Sequence, residues 1–182
     1  ARIPDANFRA KLLSLGYIVS ADQEECELTE AGKNATTMDV RNSNISDLTG
    51  LEAFPNITSL ILMGNTNITR IDLSQNPKIT TLNIMQLNRI SYLNIGSINI
   101  SAWFSLTSLV SSELTLVGSG SFTNVFECNG SMQRVDFSQF TGSFNKITMC
   151  GLQNLTGTLD LHNCKSISGK VTLNICPKLE KL

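Results

Sequence analysis

The residues of this chain with the most chemical potential are two carboxylates and a histidine, Asp136, Asp160 and His162. A carboxylate pair can act as general acid and base in glycoside cleavage. If the chain's repeat stacks Asp136 and Asp160 on neighbouring strands, however, they lack the wider separation an inverting pair needs, and no aromatic sugar platform lies nearby. His162 is the sole histidine, so a histidine-dependent triad or metal cluster would have to be built around it. No serine or cysteine motif and no phosphate-binding glycine loop supports one. The residues therefore predict a protein that is not an enzyme and has no cofactor or metal. Asp136, Asp160 and His162 form a secondary polar patch open to a cation, a hydrogen-bonding ligand or water. Near the start, Asp22-Gln-Glu-Glu25 lacks the Asp-x-Asp-x-Asp-Gly spacing of a calcium loop and reads as a solvated acidic turn.

What must position these residues is a repeat. Ile57-Thr-Ser-Leu60-Ile-Leu62, Ile68-Thr-Arg-Ile71-Asp-Leu73, Ile79-Thr-Thr-Leu82-Asn-Ile84 and Ile90-Ser-Tyr-Leu93-Asn-Ile95 align at a period of eleven residues. Such self-similarity predicts a solenoid of stacked units that each touch only their neighbours. Taking the first apolar residue of each L-x-L core as a mark, the series runs Met38, Leu60, Ile71, Leu82, Leu93, Phe104, Leu114, Thr123, Val135, Ile147, Leu159 and Val171. Two half-repeats make a rung of about 22 to 24 residues, and the marks give about six rungs with strands ~4.8 Å apart. The stretch between Phe104 and Thr123 is irregular in step.

Three residues after each core, the repeat template places Asn or Cys on the inside. The chain has Asn65, Asn76, Leu87, Ile98, Leu109, Cys128, Phe140, Leu152, Cys164 and Cys176 there. Buried Asn bonds turn backbone that the ladder leaves unpaired, and the others fill the slot with apolar bulk. Cys128, Cys164 and Cys176 are thus expected to be core thiols, while Cys150 falls on an outward phase; five cysteines cannot all pair internally. Upstream, Phe8 and Leu12 stand four apart behind Pro4 and before Gly16, which predicts a short amphipathic helix. A second helix is expected near Thr29-Glu-Ala-Gly-Lys33. Residues 1–36 read as a helical cap over the apolar end of a single continuous solenoid at 37–182.

The cap motif Ile3-Pro-Asp-Ala-Asn-Phe8 and the run from Thr37 to Ile57 resemble bacterial internalin-like leucine-rich-repeat proteins. Leu73-Ser-Gln-Asn76-Pro77-Lys78-Ile79 is similar to the Asn-Pro-Lys turn of short repeats in surface proteins of gut anaerobes. The resemblance covers residues 1 to about 100, and the twelve-residue units after Val125, with Gly142, Gly157 and Gly169 in their turns, depart from it. It implies a mainly β fold, a right-handed leucine-rich-repeat solenoid, secretion or cell-surface display, and a binding role toward host or neighbouring-cell proteins.

Strand residues alternate in and out. On the face carrying Met38, Leu60, Leu82 and Phe104, the outward positions include Asp39, Arg41, Ile61, Met63, Asn83, Met85, Trp103 and Ser105. Ile61, Met63, Met85 and Trp103 would line up as an apolar stripe of the residue types that interfaces favour. A partner protein, a second copy of the chain, the cap or a loop from 105–123 could cover it. The net charge of −1 with 16% charged residues gives no electrostatic footprint for nucleic acid. No apolar run is long enough to span a bilayer. Several of the seven Asn-x-Ser/Thr sequons, such as Asn56 and Asn67, follow from the Asn-Ile-Thr phrasing of the repeat, and the last residues, Pro177 to Leu182, open a further strand.

Overall fold

The computed structural model describes all 182 residues. Two short helices, α1 (Ala6–Ser14) and α2 (Glu30–Lys33), precede fifteen strands. These are β1 (Thr37–Asp39), β2 (Ser59–Ile61), β3 (Arg70–Asp72), β4 (Thr81–Asn83), β5 (Tyr92–Asn94), β6 (Asn99–Ile100), β7 (Phe104–Leu109), β8 (Glu113–Val117), β9 (Ser121–Gly130), β10 (Arg134–Asp136), β11 (Ser143–Cys150), β12 (Gly157–Thr158), β13 (Ser166–Ile167), β14 (Val171–Asn174) and β15 (Leu179–Lys181). Every ladder between them is parallel. The fold is a β-solenoid of about 7 turns, one more than the count of marks suggests.

Three columns of strands run along the coil. The first follows Met38↔Leu60↔Leu82 and, after a break, Phe104↔Phe126↔Ile147↔Val171. The second carries Ile71↔Leu93↔Leu116 and Leu114↔Val135, then the separate pair β12–β15. The third exists only in the second half: Ile100↔Phe122↔Phe144↔Ile167. Its presence corrects the mark at Thr123. Thr123 is exposed, whereas Phe122 and Phe126 are buried on either side of it, Phe126 in the first column and Phe122 in the third. The long strand β9 serves both columns, which is why a single mark per half-repeat misses the register there.

One core of 44 buried apolar residues runs from Ile3, Phe8 and Leu12 in the cap to Leu159. In the wider second half it is filled by aromatics: Phe104, Phe122, Phe126, Phe137, Phe140 and Phe144 lie with ring centroids 4.8 to 5.9 Å apart. Rings at that spacing gain edge and offset contacts beyond their area burial. The inward turn slot behaves as the template requires. Asn65 is fully buried; its Oδ1 accepts from the Ser43 and Ile45 amides at 3.1 and 3.0 Å, and its Nδ2 donates to the Val40 and Leu62 carbonyls at 2.9 and 2.7 Å. Asn76 donates to the Leu51 and Phe54 carbonyls, but its Oδ1 has no partner. Leu87, Ile98, Leu109, Cys128, Phe140 and Leu152 occupy the slot with apolar bulk.

Asp5 caps α1 by accepting from the Phe8 amide at 2.9 Å, and its other oxygen accepts from Ser46 and Asp47 amides at 2.8 and 3.1 Å. One carboxylate therefore starts the helix and ties it to the first turn of the solenoid. Thr29 caps α2 in the same manner through the Gly32 amide.

Candidate functional site

The first strand column is interrupted where the outward residues are most apolar. Between β1 and β2, and again between β2 and β4, the ladder is regular: Val40 N–H donates to Ile61 O, Leu62 N–H to Asn83 O, Asn42 N–H to Met63 O, Gly64 N–H to Met85 O, and Thr80 N–H to Thr58 O. One rung later the equivalents are Ile84, Gln86 and Ala102, and none of their amides reaches a backbone acceptor. β4 and β7 belong to different sheets although Leu82 and Phe104 keep the repeat's spacing. Parallel ladders point successive backbone groups to alternate sides. Because Thr81, Asn83 and Met85 bond back to the preceding turn, Leu82, Ile84 and Gln86 face the gap.

The gap is a cleft of about 730 Å³ walled by β4 and the turn after it on one side and by Trp103 to Ser108 on the other. Leu82 is only half-buried, whereas its column neighbours Met38 and Leu60 are fully buried; the missing ladder step opens the core at this point. Met85 and Trp103 stand on opposite lips, 61% and 63% exposed. Trp103 is the chain's only tryptophan. Its indole Nε1 donates to the Glu127 carboxylate at 3.0 Å, which also accepts from Ser105 Oγ at 3.3 Å, so the ring is held against β9 while its face stays in solvent.

Backbone strain concentrates on the same lips. At twenty-two-residue spacing, Asn42, Gly64, Gln86, Ser108 and Gly130 all have positive φ, at 51°, 81°, 65°, 55° and 143°. The turn leaving this column needs a left-handed residue, which costs ~1–2 kcal/mol for a side chain with a Cβ and least for Gly or Asn. Only at the cleft are the positions filled by Gln86 and Ser108. Ser108 also sits where the β7–β9 register shifts between Leu106 and Leu109.

The other expected site residues are placed less favourably for a continuous stripe. Ile61 and Met63 are half-buried on the β2 rung, next to Asn83 and Met85, while Ser105 and Trp103 lie across the gap. Asp39 is clamped by Arg41, whose Nε and a terminal nitrogen reach its two oxygens at 2.8 to 3.0 Å. That hydrogen bonding outweighs the opposing effect of burial and holds the Asp39 carboxyl below its ordinary range.

A structural role unites several of these polar positions. Asp39, Asp72, Asn83, Asn94, Asp136 and Asp160 each accept the amide two residues onward, from Arg41, Ser74, Met85, Gly96, Ser138 and His162, at 2.8 to 3.3 Å. They are side-chain-closed turns at strand exits. The signal was present in the sequence as an Asp or Asn directly after the mark. No strand ladder joins β10 to β12, so none pairs Asp136 with Asp160; the two turns are tied instead by Thr156, whose N–H and Oγ1 donate to Gln133 O at 3.0 and 3.2 Å, and by Asn163 Nδ2, which donates to Ser138 O at 2.8 Å. Asp136 lines a cleft with Arg134 and Glu113, whereas Asp160 meets His162 Nδ1 at 2.6 Å beside a different depression. The His162 amide first, and its ring second, lower the Asp160 carboxyl. Cys128 is fully buried and desolvation pushes its thiol up to about 12; Cys164 and Cys176 are half-buried with thiols also raised by burial.

Fold and site together define a parallel β-solenoid repeat protein whose first strand column is split between β4 and β7. No family model matches the chain, and no curated protein is similar to it at a significant level. Among solved structures, it is similar to the functional domain of InlJ from Listeria monocytogenes, which includes a cysteine ladder, at 19% identity over 99% of this chain and 62% of that chain, with a TM-score of 0.31. The chain thus spans less than two thirds of that relative.

Proposed function

We propose that the chain is a non-catalytic protein-recognition module of a secreted or surface-displayed bacterial protein, and that it binds through the face split between β4 and β7. Asp39, Arg41, Ile61, Met63, Asn83, Met85, Trp103 and Ser105 are its contact residues. The observation that carries the reading is the pair Met85 and Trp103. They are the two most exposed large apolar side chains of the first column, and they flank a cleft of about 730 Å³. Solvent-facing Trp and Met beside a partly opened core are the features of an interface anchor rather than of a solvated sheet.

The test is capture of proteins from a preparation of host-cell surface proteins by the immobilised chain. Trp103→Ala and Met85→Glu should each cut the captured partner at least about tenfold, the size of loss expected at a buried aromatic anchor, with the melting transition nearly unchanged. Loss of stability without loss of capture sinks the reading. Sedimentation across a concentration series decides whether the partner is a second copy, since self-association predicts a dimer that the same substitutions dissolve.

A further inference from the structure

We infer that the cleft between β4 and β7 is a strand-accepting slot: it takes an extended peptide segment of the partner as the missing rung of the first column, in parallel register. This deepens the reading above and rests on it.

The occupant follows from what the two walls offer. Ile84, Gln86, Ala102 and Trp103 present amides with no backbone acceptor, whereas their repeat equivalents are all bonded, Leu62 and Gly64 forward to the next turn and Thr80 and Thr81 back to the preceding one. On the far wall, Ser108 N–H turns forward to Asn129 Oδ1 at 2.7 Å, so by alternation the Ser105 and Thr107 backbone groups turn back into the cleft. Both walls are sheet edges, and they face one another. A sugar or a small apolar ligand cannot answer two parallel rows of alternating donors and acceptors, whereas a polypeptide strand carries both rows on its two edges.

The side-chain requirements follow as well. The residue between Leu82 and Phe104 points inward and completes Leu82's burial, so it must be aliphatic. Its neighbours on either side point outward, one between Thr81 and Trp103 and the other between Asn83 and Ser105, where apolar or threonine side chains fit. The preferred segment is therefore uncharged and alternating, the pattern of the chain's own strands.

The experiment uses the intact chain and two synthetic acetylated hexapeptides of alternating threonine and leucine, one unmodified and one N-methylated at alternate residues. Six residues match the wall from Trp103 to Ser108. Trp103 emission reports binding, since no other tryptophan contributes, and residue-resolved amide exchange reports pairing. The unmodified peptide should shift the emission to the blue and slow exchange at Ile84, Gln86 and Trp103 at least about tenfold, and N-methylation should weaken binding by about tenfold or more. Equal binding of the two peptides overturns the inference, as does absence of binding by both at their solubility limit. So does slow exchange at Ile84, Gln86 and Ala102 in the free protein, which would mean that β4 and β7 pair directly. If a natural partner needs Trp103 and Met85 yet leaves those amides unprotected, the recognition face stands and the slot falls; if neither peptide nor partner responds to Trp103→Ala, the face itself fails.

Discussion

Replacing Asn65 by alanine should destabilise the chain far more than the same change at Asn76, although both occupy the same slot on adjacent half-turns. Asn65 is fully buried and makes four hydrogen bonds, two as acceptor and two as donor. At a net worth of ~1 kcal/mol each, the side chain contributes about 4 kcal/mol, and alanine leaves the Ser43 and Ile45 amides without that acceptor. Asn76 makes two bonds, worth about 2 kcal/mol, but buries an Oδ1 with no partner, which costs ~1–3 kcal/mol. Its net contribution is therefore about zero. Urea unfolding followed by Trp103 emission should show Asn65→Ala shifted to lower midpoint by an amount equivalent to about 3–4 kcal/mol, with Asn76→Ala within about 1 kcal/mol of the parent at equal slope. Equal losses in the two variants, or a larger loss at Asn76, would refute the account of the slot as a hydrogen-bonding position whose value depends on how many partners are met.

Asp5→Ala should cost about 1–2 kcal/mol, because it removes a helix cap and the bonds to the Ser46 and Asp47 amides together. Burial alone would raise the Asp5 carboxyl, but the bonds from Ser46, Phe8 and Asp47 outweigh it and bring the native value below the ordinary 3.8. A depressed native value means that the contribution is complete above pH 3.8 and fades as the pH falls from there through the lower native value, so parent and Asp5→Ala denaturation midpoints should converge in strong acid; a constant difference across that window would count against the linkage. Cys128, with its thiol pushed up to about 12 and no exposed surface, should resist a thiol-exchange reagent at pH 8 in the native chain and react only on unfolding, while the half-exposed Cys150 reacts first; mass mapping of the labelled peptides distinguishes the two.

Much of this molecule was legible before any coordinates, because short-range periodicity is written directly into side-chain type. An eleven-residue alternation of Ile and Leu specifies which side chains turn inward, and the structure buries them in that phase from Ile57 through Ile95, with Leu82 at the cleft alone half-buried. The two helices were legible for a similar reason: the Phe8–Leu12 spacing and the run from Thr29 to Lys33 are local signals, and Asp5 and Thr29 cap them through amides three residues away. Exposure of Met85 and Trp103 also followed from phase alone.

What only the tertiary structure decided depends on contacts between turns, which the sequence encodes weakly. The displacement of the mark from Thr123 to Phe126 arises because β9 supplies two columns at once, and the rings of Phe122 and Phe126 lie 4.9 Å apart in one wide core. The absence of an Asp136–Asp160 ladder and the split between β4 and β7 have the same character. Leu82 and Phe104 keep a perfect repeat spacing, so the sequence predicts that they pair; the irregular segment after Phe104 and the left-handed Gln86 and Ser108 set where the next turn lies. A period fixes which face of a strand is buried, but the distance between one strand and the next is the sum of turn geometry and packing over a whole rung, and there the candidate site was made.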